Sequence, residues 1–147
     1  MSQSRAMPDF LPDGAEAGTA NVPGIAGLCA GLGYISRVGT DSILAREQAL
    51  LQRCVEGLKQ LGVRTFFGPQ QAGVISFCPK ADCQEFADAL WKQQIAVRAG
   101  LHCAPLAHES AGTLDTGTVR VSLGFDTTKW QIDRFLEVAD YCTGSLS

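Results

Sequence analysis

The chain has 147 residues, 46% of them apolar and 18% charged, which suits one domain with a real hydrophobic core. A net charge of −3 and a pI near 5.3, without basic runs or aromatic-interleaved basic patches, argue against a nucleic-acid partner. No apolar run approaches the roughly 20 residues of a membrane span, and Met1 to Gly14 lacks the apolar stretch of a secretory leader.

In chain order, residues 1–14 are polar with two prolines and are expected to form an extended lead-in, with Phe10 and Leu11 available for docking. Residues 15–147 are expected to form a single domain. Ile25, Leu28, Leu32 and Ile35 have helical spacing, with Thr19 or Asn21 as the N-cap and Pro23 in the first turn. Glycines 24, 27, 31 and 33 cost this helix roughly 1 kcal/mol each relative to Ala, which predicts a buried helix packed against another backbone. A second helix over 41–61 carries Leu44, Leu51, Val55 and Leu58 on one stripe and stops at Gly62. Val63–Phe67 and Ala72–Phe77 read as strands separated by the Gly68-Pro69 turn signal. Asp82 and Glu85 have capping-box spacing for a helix reaching about Gln93. Ile95–Arg98 reads as a short buried strand, and Thr118–Leu123 alternates as another, with a long loop between them. Thr128 and Gln131 cap a last helix whose inner face is Ile132, Phe135, Leu136 and Ala139. The order α-α-β-β-α-β-loop-β-α predicts an α+β fold: a small, mostly antiparallel sheet of about four strands, covered on one face by helices.

The stretch from Ile95 to Gly124 concentrates the chemistry. Loops longer than about a dozen residues in compact domains are usually functional or disordered. This one holds both histidines, His102 and His108, and Cys103, with Arg98 before it and Arg120 after it. A soft nucleophile between two cations suits a small anionic substrate. The other cysteines read as structural: Cys29, Cys54 and Cys142 at helical apolar positions, Cys78 and Cys83 flanking a strand-to-helix link. None of the six forms a C-x-x-C pair or a disulfide-scaffold spacing, so reduced thiols in a cytoplasmic setting are expected. His102, Cys103 and His108 match no common metal-ligand spacing, and no metal is expected. Arg120 points opposite to Val119 and Val121, either as a bidentate carboxylate clamp or in a sheet-surface ion pair. Thr19 and Asn21 offer a phosphate seat at a helix start or a plain N-cap.

The segments Phe10-Leu-Pro-Asp13, Glu16-Ala-Gly-Thr-Ala-Asn21, Pro23-Gly-Ile-Ala-Gly-Leu28, Arg98-Ala-Gly-Leu-His-Cys-Ala-Pro-Leu106 and Gly117-Thr-Val-Arg-Val-Ser-Leu-Gly124 together resemble the cysteine desulfurases. These are class V aminotransferases that use pyridoxal phosphate (PLP) on a fold-type-I scaffold. The resemblance spans nearly all of this chain but only the later part of the family's. It implies that Cys103 is the mobile-loop cysteine that attacks the sulfur of the PLP-bound substrate and becomes a persulfide. It implies that Arg120 grips the substrate α-carboxylate, with Arg98 and His102 in supporting roles. It implies that Thr19, with Asn21, reaches across a homodimer to the phosphate of the partner's cofactor. His108 receives no role, and the loop resembles the branch of the family with the shorter cysteine loop. The family's cofactor lysine lies upstream of the matched part. Here lysines stand only at 59, 80, 92 and 129, on a helix face, a turn, a helix end and a cap. The resemblance therefore implies the small C-terminal domain of a desulfurase, its large PLP-binding domain absent, inactive alone toward L-cysteine. A sulfur-acceptor protein is the implied partner. The alternatives are a free-standing, PLP-independent sulfur carrier or binding module, or a domain of a selenocysteine lyase or another class V aminotransferase.

Overall fold

The computed structural model describes residues 9–12, 14–15 and 18–146, so most of the expected lead-in lies outside the described residues. The chain divides into two compact units, Met1–Gly39 and Thr40–Ser147.

In the first unit, helix α1 spans Val22–Val38. Its N-cap is Asn21, whose side-chain oxygen accepts from the Gly24 amide at 3.0 Å, and Pro23 sits in the first turn. Gly39, at a φ of 85°, ends it and donates its amide to the Ile35 carbonyl. The expected burial of this helix is corrected: none of its residues is buried, and Ile25, Leu28 and Leu32 are each more than half exposed. A Cβ built on Gly27, Gly31 or Gly33 meets nothing within 4 Å. Glycine permits close backbone approach but does not supply the neighbour.

The second unit runs α2 (Thr40–Gln60), β1 (Arg64–Phe66), β2 (Val74–Cys78), α3 (Cys83–Lys92), β3 (Arg98–Gly100), α4 (Pro105–Ala111), β4 (Thr118–Ser122) and α5 (Lys129–Ser145). The four strands form one antiparallel sheet in the order β1-β2-β4-β3, and the expected α+β fold is borne out. Alternation along the strands puts Ile75, Phe77, Val119 and Val121 on one face, all buried. Leu51, Cys54, Val55 and Leu58 of α2, Phe86 and Leu90 of α3, and Ile132 and Phe135 of α5 complete that core. Phe77 sits at its centre, with ring centroids 5.8 Å from Phe86 and 6.2 Å from Phe135, both edge-on. Leu44, at the exposed start of α2, lies outside the core.

Local signals place the helices. The Asp82 side chain accepts from the amides of Gln84 and Glu85 at the start of α3. Thr128 and Gln131 make both halves of a capping box on α5. Two expectations shift. The strand expected at Ile95–Arg98 forms later, at Arg98–Gly100, because the Ile95 amide is already bonded to the Leu90 carbonyl and Gln94 turns the chain at a φ of 61°. The stretch after Cys103, expected to be loop throughout, contains α4, with Pro105 in its first turn and Gly112 closing it in the left-handed region. Its N-cap, Ala104, makes no side-chain bond, so the signal that usually announces a helix is missing.

Candidate functional site

Register decides which side chains meet on the sheet face opposite the core. Phe66 pairs with Ser76, Ser76 with Arg120, and Arg120 with Arg98, so these four stand abreast across all four strands. Two guanidiniums directly opposite each other repel, and an anion between them would relieve that repulsion. Among the described residues the ion pairs are Arg53–Asp133 and Arg134–Glu137, so the surface ion pair considered for Arg120 is not made. Arg120 is half-buried, and its Nε is a buried donor with no partner. Buried donors are normally satisfied, so this atom marks a place for an acceptor.

After β3 the chain turns sharply. Gly100 has a φ of 104°, and His102 and Cys103 follow at 52° and 59°. Two successive non-glycine residues in the left-handed region cost of order 1–2 kcal/mol each. The Ala104 amide bonds to the Leu101 carbonyl at 2.9 Å, and His102 Nε2 lies 3.0 Å from Thr118 Oγ1, which together hold the corner. The corner leaves Cys103 exposed, with an Arg98 guanidinium nitrogen 3.6 Å from its sulfur. An accessible sulfur with a cation as its hydrogen-bond donor has both the reach and the charge complement for nucleophilic attack. The remaining thiols of the second unit differ. Burial pushes Cys54 up to about 12 and Cys83 up to about 11, and raises Cys78 and Cys142 as well. All six cysteines are free.

His102 is half-buried, and its Nδ1 is buried without a partner. Burial, then the charges of Arg120, His108 and Arg98, hold its imidazole below the ordinary value of 6.5, so it is neutral at neutral pH. His108, on α4, is buried, with Nδ1 2.8 Å from Thr113 Oγ1. The two imidazole centroids are 5.7 Å apart. Both rings, with Phe66, Ser76, Thr118 and Arg120, line a cavity of about 320 Å³. Cys103 and Arg98 stand beside this cavity rather than in its lining, joined to it through the Arg98–Arg120 register and the His102–Cys103 peptide. A larger groove of about 640 Å³, beside Ile95, Trp130 and Phe135, holds none of the candidate residues.

Thr19 and Asn21 belong to the first unit, where both are exposed and Asn21 serves as the α1 cap. His108 is the site residue that the sequence left without a role; its pairing with Thr113 across Gly112 was the available signal. Among the described residues no group of three or more metal-ligating side chains gathers, and no helix is long and apolar enough to cross a membrane.

PLP needs a lysine as its Schiff-base partner. Lys59, Lys80, Lys92 and Lys129 are all exposed, Lys59 lies 5.6 Å from the Phe67 ring centroid, and none lines the cavity that holds Arg120.

Comparison with known proteins places this geometry in a family. A probable cysteine desulfurase from Xylella fastidiosa (strain Temecula1) is 38% identical over 128 residues, covering 85% of this chain and 30% of the relative. The apo structure of the cysteine desulfurase of Thermococcus onnurineus NA1 superposes with a TM-score of 0.84 at 35% identity, covering 92% of this chain and 34% of that one. A C-DES mutant with glycine covalently linked to its PLP cofactor matches with a TM-score of 0.63 at 27% identity, covering 87% and 31%. The chain thus spans about a third of the length of these proteins. The resemblance to cysteine desulfurases read from the motifs is borne out, as is PLP as a cofactor among its structural neighbours. The aminotransferase class-V model matches residues 4–135, and the chain belongs to that family.

Proposed function

We propose that this chain is the C-terminal domain of a PLP-dependent cysteine desulfurase, with Cys103 as the sulfur-accepting nucleophile. In the reaction, the Cys103 sulfur bonds to the sulfur of L-cysteine while the substrate's C–S bond breaks. The carbon takes up a proton, leaving L-alanine and a Cys103 persulfide, with no external oxidant or reductant. PLP, anchored on polypeptide outside these residues, would activate the amino acid. Arg120 receives the substrate carboxylate, Arg98 holds a positive charge at the sulfur, and His102 packs beside both as a neutral imidazole. Thr19 and Asn21 would serve the phosphate of a partner subunit's cofactor in a homodimer. The persulfide would pass to an acceptor protein in the cytoplasm.

The observation that carries this reading is the exposed Cys103 sulfur 3.6 Å from Arg98, which itself stands in register with Arg120 and its unpartnered Nε. The second reading, a sulfur carrier that works without PLP, draws on the placement of the four lysines away from that site.

The test is the full-length enzyme incubated with L-cysteine, followed by alkylation and peptide mass mapping. A persulfide is expected on the Cys103 peptide, and C103S abolishes it while leaving the cofactor absorbance intact. R120A is expected to raise KM about 10- to 100-fold, the loss of a charge-assisted pair. The isolated chain treated with PLP and then dialysed should stay colourless, with any borohydride-trapped adduct spread over the four exposed lysines rather than concentrated stoichiometrically on one. Persulfide formation by the isolated chain alone, without PLP, would favour the second reading.

A further inference from the structure

We propose that His108 and Thr113 form a positioning pair that sets the orientation of the His102 ring, and through it the corner that presents Cys103. The role rests on the reading of Cys103 as the working nucleophile, but the geometry behind it is independent of any cofactor.

Helix α4 begins two residues after Cys103 and ends at Gly112, whose left-handed turn at a φ of 66° lets the Thr113 amide bond to the His108 carbonyl at 2.8 Å. That turn also brings Thr113 back against the His108 side chain. Nδ1 of His108 then has two oxygens near it, Thr113 Oγ1 at 2.8 Å and the Thr113 carbonyl at 3.3 Å. A carbonyl can only accept, so both contacts are met when His108 carries its proton on Nδ1. His108 and Thr113 are both buried, where an unmet bond is expensive, so the ring is fixed in rotation and in tautomer.

The fixed ring lies 5.7 Å from that of His102, tilted by 45°. On another side, Thr118 Oγ1 lies 3.0 Å from His102 Nε2. His102 is thus held between α4 and the start of β4, and this side chain anchors the first of two successive left-handed residues. The charged groups acting on it are Arg120 on β4 and Arg98 on β3, with His108 the titratable group on α4. With Nε2 engaged, Nδ1 of His102 is left buried and without a partner, on a ring that lines the same cavity as Arg120. Without the His108 ring, His102 would gain solvent and rotational freedom.

The chain has only two histidines, so long-range nitrogen–proton NMR spectra of their imidazoles can be assigned with single variants. In the wild-type 147-residue protein, His108 is expected with its proton on Nδ1, and His102 as one tautomer titrating below the ordinary imidazole value. In H108N the amide nitrogen takes the place of Nδ1 and keeps the Thr113 bond, but the ring is gone. The His102 midpoint should then rise toward the ordinary value and its tautomers should mix, with the circular dichroism unchanged. T113V frees the His108 ring and should move His102 in the same direction by less. A purely structural role would be rescued by H108N with His102 still a single tautomer, because loss of the His108 charge by itself raises the midpoint without mixing tautomers. A proton on Nε2 of His108 in the wild type overturns the proposal, as does a His102 titration unchanged in either folded variant. The spectra need neither substrate nor PLP, so their outcome is separable from failure of the desulfurase reading.

Discussion

His102 combines a backbone angle that L side chains avoid with an imidazole held below its ordinary pKa, chiefly by burial. Because the folded value lies below the unfolded 6.5, the unfolded chain binds the proton first as pH falls. The contribution of neutral His102 to stability is therefore complete above the unfolded value. It declines as pH drops through that value toward the folded midpoint, and below the midpoint the slope ends. Urea unfolding across this window should give a midpoint that falls with acidification. The slope should be smaller in H102Q, which keeps a polar side chain without a titratable ring. The lowered carboxyl of Asp133, held by Arg53, acts at more acidic pH and does not enter the same window. The alternation around Arg120 was legible from Val119 and Val121. The partner across the strand was not, because a cross-strand register depends on hydrogen bonds between segments distant in sequence.

Helices and strands here differ in how locally they are specified. The α5 start is self-contained: Thr128 and Gln131 bond each other's backbone amides, as their spacing predicts. T128A should cost about 1 kcal/mol of stability, read as a lowered Tm. Gly73 is specified by a distant neighbour instead. A Cβ there would run into the carbonyl of Leu123, a backbone atom fixed in the next segment of the sheet. G73A should therefore cost about 1–3 kcal/mol, more than the cap, although it removes no bond. The same contrast explains the elements read imperfectly. Helix α4 lacks a side-chain cap, and β3 starts late because the end of α3 takes the Ile95 amide.

At the scale of the whole chain, stability is distributed unevenly. Among the described residues, the buried core lies within Thr40–Ser147, whereas α1 has no buried residue. Segments with little buried apolar contact open at low free-energy cost. Limited chymotrypsin digestion should therefore cut first around Leu28–Tyr34, leaving a resistant fragment that begins near Thr40. Comparable early cutting between β2 and α5 would show that the core is not the more stable part.

The sequence by itself determined the α+β class, the helix caps at Asp82 and Thr128, the face on which Arg120 lies, and the family resemblance carried by the cysteine loop. Each of these rests on short-range periodicity, on a side chain reaching its own backbone, or on a contiguous motif. Only the tertiary structure decided that Arg98 reaches the Cys103 sulfur, that Arg98 and Arg120 stand opposite each other, that His108 packs on His102, and that α1 has no buried residue. The physical reason is common to all four: strand register and ring packing join residues through contacts that no local spacing encodes, and a glycine-rich helix allows a neighbour without naming one.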